Sequence, residues 1–350
     1  MAAAVGKRGA AGEVVVAAAP KRARTGPSTE LVAAAAGAGG RERKSSLEAP
    51  IMLCEGHQDA VLTMKFAPSG GAFASGSQDR EVFLWSVQGE CENYSVLKGH
   101  KKAVLELHWA YGGEKLVSCS PDKTVRAWDA ETGAQVKKMN EHVSFVNTCC
   151  PARRGPELVV SGSDDCTAKL WDLRVKKSVQ TMNEKYQVLA VGFSDAADKI
   201  YAAGIENVVN VYDMRKGAVE MQLAGHTDTV TGMDVSADGD WLLTNAMDNT
   251  LRLWDLRPYA PQDRCTKVFT GHAHNFEKNL LKCAISPDGK HVTAGSADRN
   301  VHVWNVASGE ELYRLPGHLG SVNEAVFHPT EPIVGSCGSD RKIFLGELDI

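Results

Sequence analysis

The sequence predicts an all-β fold, a closed ring of seven four-stranded sheets, and three observations carry that prediction. First, beyond residue 50 an acidic residue is followed six positions later by an aromatic one, at Asp79/Trp85, Asp122/Trp128, Asp165/Trp171, Glu206/Tyr212, Asp248/Trp254 and Asp298/Trp304. A seventh copy, Asp340/Gly346, has lost its aromatic. Successive sixth-position residues lie 43, 43, 41, 42, 50 and 42 apart, the period of a β-propeller blade with one insertion before Trp304. Second, a histidine stands about 22 positions before the acidic residue in six copies, at His57, His100, His142, His226, His272 and His318, mostly in Gly-His pairs; the fourth copy has Lys185 there. Third, the runs between these marks alternate or are β-branched, as in Val61-Leu-Thr-Met-Lys-Phe66 and Val125-Arg-Ala-Trp128, and Pro-x-Gly or Asp-Gly turns separate them, the signature of short antiparallel strands.

The ring is expected to occupy residues 49–350 of the 350-residue chain. Only four residues follow Gly346, so the seventh blade lacks an outer strand of its own. The segment Pro50-Ile-Met-Leu53 precedes the first Gly-His as a fourth strand normally does. It is expected to complete that blade, which removes two sheet edges that would otherwise invite aggregation.

Residues 1–48 are mostly Ala, Gly and charge, too poor in large apolar side chains to offset the entropy of ordering, and are expected to be a disordered tail. Pro20-Lys21-Arg22-Ala23-Arg24 and Arg41-Glu42-Arg43-Lys44 are short basic clusters of the nuclear-import kind. The first 44 residues hold eight basic and three acidic side chains, leaving 31 basic against 40 acidic in the body, a net charge near −9. Such a field repels nucleic acid, so any RNA contact must be local. Nine scattered cysteines without a Cys-x-x-Cys pair fit a reducing compartment, nuclear or cytosolic. No apolar run approaches the ~18 to 20 residues of a membrane span, so no membrane partner is expected.

The repeat pattern resembles the WD40-repeat family over residues 51–350, with Trp-Asp pairs at Trp128-Asp129, Trp171-Asp172 and Trp254-Asp255. The resemblance implies that in each blade a Trp indole, a Ser or Thr hydroxyl, the His and the turn Asp form one hydrogen-bonded chain. By it the sets are His57, Ser75, Asp79, Trp85; His100, Ser118, Asp122, Trp128; His142, Ser161, Asp165, Trp171; and His226, Thr244, Asp248, Trp254. Blade 6 has Ala294 in place of the hydroxyl, blade 7 has Gly346 in place of the Trp, and blade 4 keeps only Glu206 and Tyr212; these three are expected to be locally looser.

Ser, His and Asp also form hydrolase triads, but a triad occurs once in a cleft with an oxyanion hole, and this set recurs with the period of the fold. No catalytic residue is therefore assigned. His272-Ala-His274 brings two imidazoles together without a further ligand set, so no metal is expected. Without a phosphate-binding glycine loop, neither a cofactor nor a small-molecule substrate is expected.

Partner binding is the remaining chemistry. By the resemblance, Phe145 and Asn147, Thr229 and Thr231, and Ser321 and Asn323 surround the central channel on the face that carries the His loops, with Phe145 as candidate anchor. The insertion from His272 to Leu281 presents Phe276 and Lys278 on the same face. The opposite face collects Arg153, Arg154, Arg174, Lys176, Lys177, Arg215, Lys216, Arg257 and Arg264, a candidate basic sector for phosphates or an acidic protein segment, diluted by Asp195, Asp198, Asp238 and Asp240.

Five stretches depart from the repeat consensus: Ala49-Pro-Ile-Met-Leu53, Phe145-Val-Asn147, Pro151-Ala-Arg-Arg-Gly-Pro156, Asn245-Ala-Met-Asp-Asn-Thr250 and His274-Asn-Phe-Glu-Lys-Asn-Leu-Leu281. Together they resemble the spliceosomal branch of the WD-repeat family, the WD-repeat subunits of the U5 small nuclear ribonucleoprotein. That likeness implies a nuclear, non-catalytic scaffold in pre-mRNA splicing. It would dock on the large scaffold protein of the U5 particle beside its GTPase and helicase, with U5 snRNA and pre-mRNA contacted indirectly. The alternative is a substrate receptor of a cullin-type ubiquitin ligase, whose WD-repeat members carry Trp-Asp-x-Arg; here stand Trp171-Asp-Leu-Arg174 and Trp254-Asp-Leu-Arg257, with Tyr212-Asp-Met-Arg215 close.

Overall fold

The computed structural model describes residues 44–261, 263–275 and 279–349. Among them 28 strands pair into seven four-stranded antiparallel sheets. Blade 1 runs through Val61–Phe66, Ala72–Ser77, Glu81–Ser86 and Asn93–Lys98, each strand paired with the next. The first strands of blades 2 to 7 are Glu106–Trp109, Val146–Pro151, Val188–Phe193, Val230–Val235, Cys283–Ile285 and Val322–Phe327. Each first strand packs beside that of the next blade, and the seventh returns to the first, so these strands line a central channel and the ring is a propeller.

Closure follows the expected route. Ile51–Glu55 pairs antiparallel with Lys342–Glu347 as the outer strand of blade 7, in the register Ile51 to Gly346, Leu53 to Phe344 and Glu55 to Lys342. Structured chain begins before the expected boundary at residue 48. Leu47 is buried with Cys54, Trp85 and Ile343, and Ser45 Oγ donates to Glu347 Oε2 at 2.7 Å. One buried apolar side chain, with hydrogen bonds from Lys44, Ser45 and Ser46 to Glu347 and Glu331, ties this otherwise polar stretch down. The remainder of the expected tail, with the basic cluster at residues 20–24, lies outside the described residues.

Two local devices recur with the period. The residue after the turn acid takes a left-handed backbone in all seven blades, at Arg80, Lys123, Cys166, Asn207, Asn249, Arg299 and Arg341, with φ between 58° and 76°. A non-glycine residue accepts that conformation at a cost, and the preceding Asp offsets it by accepting the amide two residues on, as in Thr124 N to Asp122 Oδ1 at 3.1 Å. The outer strand slips register at the aromatic position in blades 1 to 6, between Leu84 and Trp85 or Ala127 and Trp128, for instance. Blade 7 has Gly346 there and pairs with its outer strand without a slip. The bulge thus travels with the bulky ring, turning it into the seam between blades.

Candidate functional site

The buried polar sets predicted for four blades are present. In blade 2, His100 Nδ1 meets Asp122 Oδ2 at 3.1 Å, His100 Nε2 meets Ser118 Oγ at 2.8 Å, and Trp128 Nε1 donates to Ser118 Oγ at 2.8 Å. Blades 1, 3 and 5 repeat this through His57–Ser75–Asp79–Trp85, His142–Ser161–Asp165–Trp171 and His226–Thr244–Asp248–Trp254. Blade 7 keeps His318, Ser336 and Asp340 without an indole. The Gly-His glycine has a steric reason. A Cβ at Gly99 would lie 2.5 Å from Arg126 Nη1 and 3.0 Å from the Trp128 ring, and Gly225 faces Arg252 and Trp254 in the same way.

Electrostatics fixes the protonation of Asp122, Asp248, His100 and His142. Burial alone would raise the Asp122 and Asp248 carboxyls, but hydrogen bonds from His, the neighbouring Thr and a backbone amide outweigh it and hold both well below the carboxylate range. Burial lowers His100 and His142 against the pull of their aspartates, which keeps the imidazoles neutral at pH 7. The serine hydroxyls are fully buried and already bridge His and Trp. A group so enclosed has no path to a substrate, so this geometry locks strands together.

Blades 4 and 6 are rewired. In blade 4, Ala202 stands where the hydroxyl would be, and Tyr212 OH donates directly to Glu184 Oε1 at 2.8 Å while Asn210 Nδ2 donates to Glu184 Oε2 at 2.7 Å. The residue replacing the histidine function is therefore Glu184, not Lys185, whose side chain is exposed. In blade 6, Asp298 and Glu311 take the two nitrogens of the buried His302, at 2.9 and 2.7 Å, and Trp304 Nε1 donates to the Thr270 carbonyl at 3.1 Å. His272 turns away to blade 5, where its Nε2 and that of His274 converge on Asn245 Oδ1 at 2.9 and 3.2 Å. Two stretches singled out in the sequence thus form one seam. Among the described residues no three His, Cys, Asp or Glu side chains come together as metal ligands.

The partner candidates separate into engaged and available groups. Phe145 is exposed, with Lys102 Nζ 4.6 Å from its ring centre. Asn147, expected beside it as a partner contact, is buried: its Nδ2 donates to Asp164 Oδ1 and to the Val188 carbonyl of blade 4. Thr231 and Asn323 likewise donate to the carbonyls of Leu281 and Val61 in the following blades. These three clasp neighbouring blades, each from the position that a bulge of its own first strand leaves out of the ladder. Phe276 and Lys278 lie outside the described residues.

On the opposite face the basic sector is largely self-neutralised. Arg153 reaches past blade 4 to the Ser236 carbonyl at 2.7 Å and Asp234 at 3.4 Å, and Arg154 pairs with Asp195 at 3.3 Å. Arg174 and Arg257 each fork onto the Trp-Asp aspartate two residues before, Asp172 and Asp255. Among the described residues, Arg215, Lys176 and Lys177 have no ion pair. The arginines lie at loop positions as expected, but Arg153, Arg154, Arg174 and Arg257 are ion-paired with aspartates of this chain, and Arg264 donates to the carbonyls of Asp255 and Arg257.

A cluster that the sequence reading missed lines the channel. Glu106 of blade 2 accepts Cys149 N of blade 3 and meets Lys282 of blade 6 across the channel at 3.3 Å. Glu324 of blade 7 accepts Thr63 Oγ1 and Met64 N of blade 1 and pairs with Lys65 at 2.6 Å. Asp234 of blade 5 accepts Ile285 N of blade 6 at 2.8 Å. Burial would raise the Glu106 carboxyl, but Lys282, His108 and Thr148 drive it well below its usual range. The available signal was phase: Glu106 and Glu324 lie six residues after their histidines, and Lys65, His108 and Asp234 lie eight after theirs, alternate positions facing one side of a strand.

A family model described as WD domain, G-beta repeat matches residues 48–86, 91–129, 133–172, 217–255, 263–305 and 309–345. This chain belongs to the WD40-repeat family. The stretch that this WD40 model skips is the rewired blade 4. Among relatives, the chain is 52% identical over 338 residues to the U5 small nuclear ribonucleoprotein 40 kDa protein of Mus musculus, covering 92% of this chain and 94% of that one. The Homo sapiens protein of that name is 53% identical over 309 residues, 88% and 87% of the two chains. Pre-mRNA-splicing factor cwf17 of Schizosaccharomyces pombe is 42% identical over 308 residues, 88% and 90%. The ubiquitin-ligase alternative is not favoured: these nearly full-length relatives carry splicing names, and the two arginines of its motif are held by their own aspartates.

Proposed function

We propose that this WD40 propeller is a non-catalytic scaffold subunit of the U5 small nuclear ribonucleoprotein, acting in the nucleus in pre-mRNA splicing through protein–protein contacts. The observation that carries the reading is likeness at 42 to 53% identity along nearly the whole of relatives named for that particle and that process. Its finer content is docking on the large scaffold protein of the particle, beside the GTPase and helicase, with RNA contacted indirectly. A body of net charge near −9 whose rim arginines are mostly ion-paired supports protein over RNA as direct partner.

The test is affinity purification of the tagged full chain from nuclear extract at moderate salt. U5 RNA together with the large scaffold protein, GTPase and helicase is the expected yield. A cullin with its propeller adaptor, in the absence of that RNA, overturns the reading.

A further inference from the structure

Seven loops lead into the first strands, and the fold asks only for a lock residue in each, so the positions after it are free to differ. In blades 1 and 5 an aspartate follows and caps the next amide, Asp59 to Ala60 N at 2.8 Å and Asp228 to Thr229 N at 2.7 Å. Blades 2, 3 and 4 are adjacent and carry something else: Lys101 and Lys102, Val143 and Phe145, Lys185 and Tyr186, with Ile205 on the neighbouring turn of blade 4.

Val143 is 74% exposed, Phe145 42%, Tyr186 41% and Ile205 43%. Lys102 of blade 2 lies over the Phe145 ring of blade 3 at 4.6 Å, across one blade boundary, and Lys185 lies over the ring of its neighbour Tyr186 in blade 4 at 5.1 Å, so cation and ring are paired in adjacent loops. Among the described residues none of Lys101, Lys102 and Lys185 has an ion pair. The acids close by are engaged: Asp122 and Asp165 by histidine and backbone, Asp164 by Asn147, Glu184 by Tyr212 and Asn210. Glu141 is held by Ser178, and among the described acids of these loops Glu206, at the rim, stands apart from these bonds. On an acidic body, an apolar patch bearing three ammonium groups that make no ion pair among the described residues is complementary to a ligand with the opposite sign and matching apolar side chains.

We propose that this patch, Lys101, Lys102, Val143, Phe145, Lys185 and Tyr186, docks an acidic segment of a partner protein that carries spaced aromatic or aliphatic side chains. The inference rests on the scaffold reading only in requiring a protein partner. Carboxylates meet the lysines at the edge, and apolar side chains cover Val143, Phe145 and Tyr186, the exposed rings serving as anchors.

The test uses the full chain and fluorescence anisotropy with a labelled peptide of about fifteen residues, alternating Asp or Glu with Leu and Phe. The expected result is saturable binding that weakens roughly tenfold or more in the triple variant Lys101→Glu, Lys102→Glu, Lys185→Glu, several-fold in Phe145→Ala, and falls with added salt. A control reversal on the opposite face, Lys176→Glu with Lys177→Glu, leaves affinity unchanged, and matched melting temperatures show that each variant folds. Equal affinity in all variants, absence of binding, or tighter patch-dependent binding of a poly-uridine oligomer overturns the proposal. Failure here alongside co-purification of U5 RNA removes the patch and leaves the splicing scaffold standing; the reverse pair of outcomes removes the scaffold's assignment and keeps the patch.

Discussion

Blades 2 and 6 each bury a tryptophan at the end of the third strand, yet they hold it by different partners. Trp128 donates to Ser118 within a chain that runs through His100 to Asp122; Trp304 donates to a backbone carbonyl, and the local acids go to His302 instead. Both indoles are almost fully buried. The comparison teaches that the fold demands a filled aromatic seam and satisfied polar groups, and that the familiar four-residue set is one of several ways to meet the demand.

The strongest way to break that comparison is to remove the common element. Trp128→Ala deletes a fully buried indole and strips Ser118 of its donor, and should cost about 3–5 kcal/mol. Urea unfolding of the full chain measures it. A cost below about 1 kcal/mol would mean that the seam tolerates a cavity of that size and that the polar chain, not the ring, holds the blade.

Acid separates the two designs by a different route. Burial, with His274 and His302 nearby, pushes His272 down to about 3, and burial pushes His274 down to about 4. A base whose folded pKa is depressed contributes its full stability above the unfolded value near 6.5 and loses it as pH falls toward the folded value. Between pH 7 and 5 the His272 site should therefore lose about 2 kcal/mol, since protonation is by then favourable only in the unfolded chain. His100 and His142 act with the same sign. The His272→Gln variant should lose correspondingly less between those pH values in paired urea titrations. Equal losses would place the acid sensitivity elsewhere than the seam between blades 5 and 6.

The count of blades, the ring closure and four of the polar sets were legible because each is a local relation repeated at fixed spacing. What escaped was the pairing between blades. Asn147 reads as a surface residue until its bond to the Val188 carbonyl of blade 4, made from the bulge between Val146 and Thr148, is seen. Arg153 reads as part of a basic sector until its reach to Ser236, two blades on, is seen. The channel carboxylates Glu106, Asp234 and Glu324 accept amides of the following blade, a relation that tandem spacing does not display. In blade 4 the expectation of Lys185 at the lock position is one residue off: Glu184 stands 22 positions before Glu206, as His57 does before Asp79, and it accepts the Tyr212 hydroxyl.

The smallest expected effect sharpens the comparison most. If blade 6 were a decayed copy of blade 2, restoring the hydroxyl by Ala294→Ser would stabilise it. The geometry gives the new hydroxyl nothing to join, because His272 Nε2 is held by Asn245 and the Trp304 indole by Thr270. The change should therefore be neutral or mildly destabilising, within about 1 kcal/mol. The opposite edit, Ser118→Ala, leaves His100 and Trp128 without their shared partner and should cost about 1–3 kcal/mol. Both are read from the same urea unfolding curves. A gain of more than about 1 kcal/mol in Ala294→Ser would show that His272 prefers the hydroxyl to Asn245, and that the contact between blades 5 and 6 is the weaker of its two options.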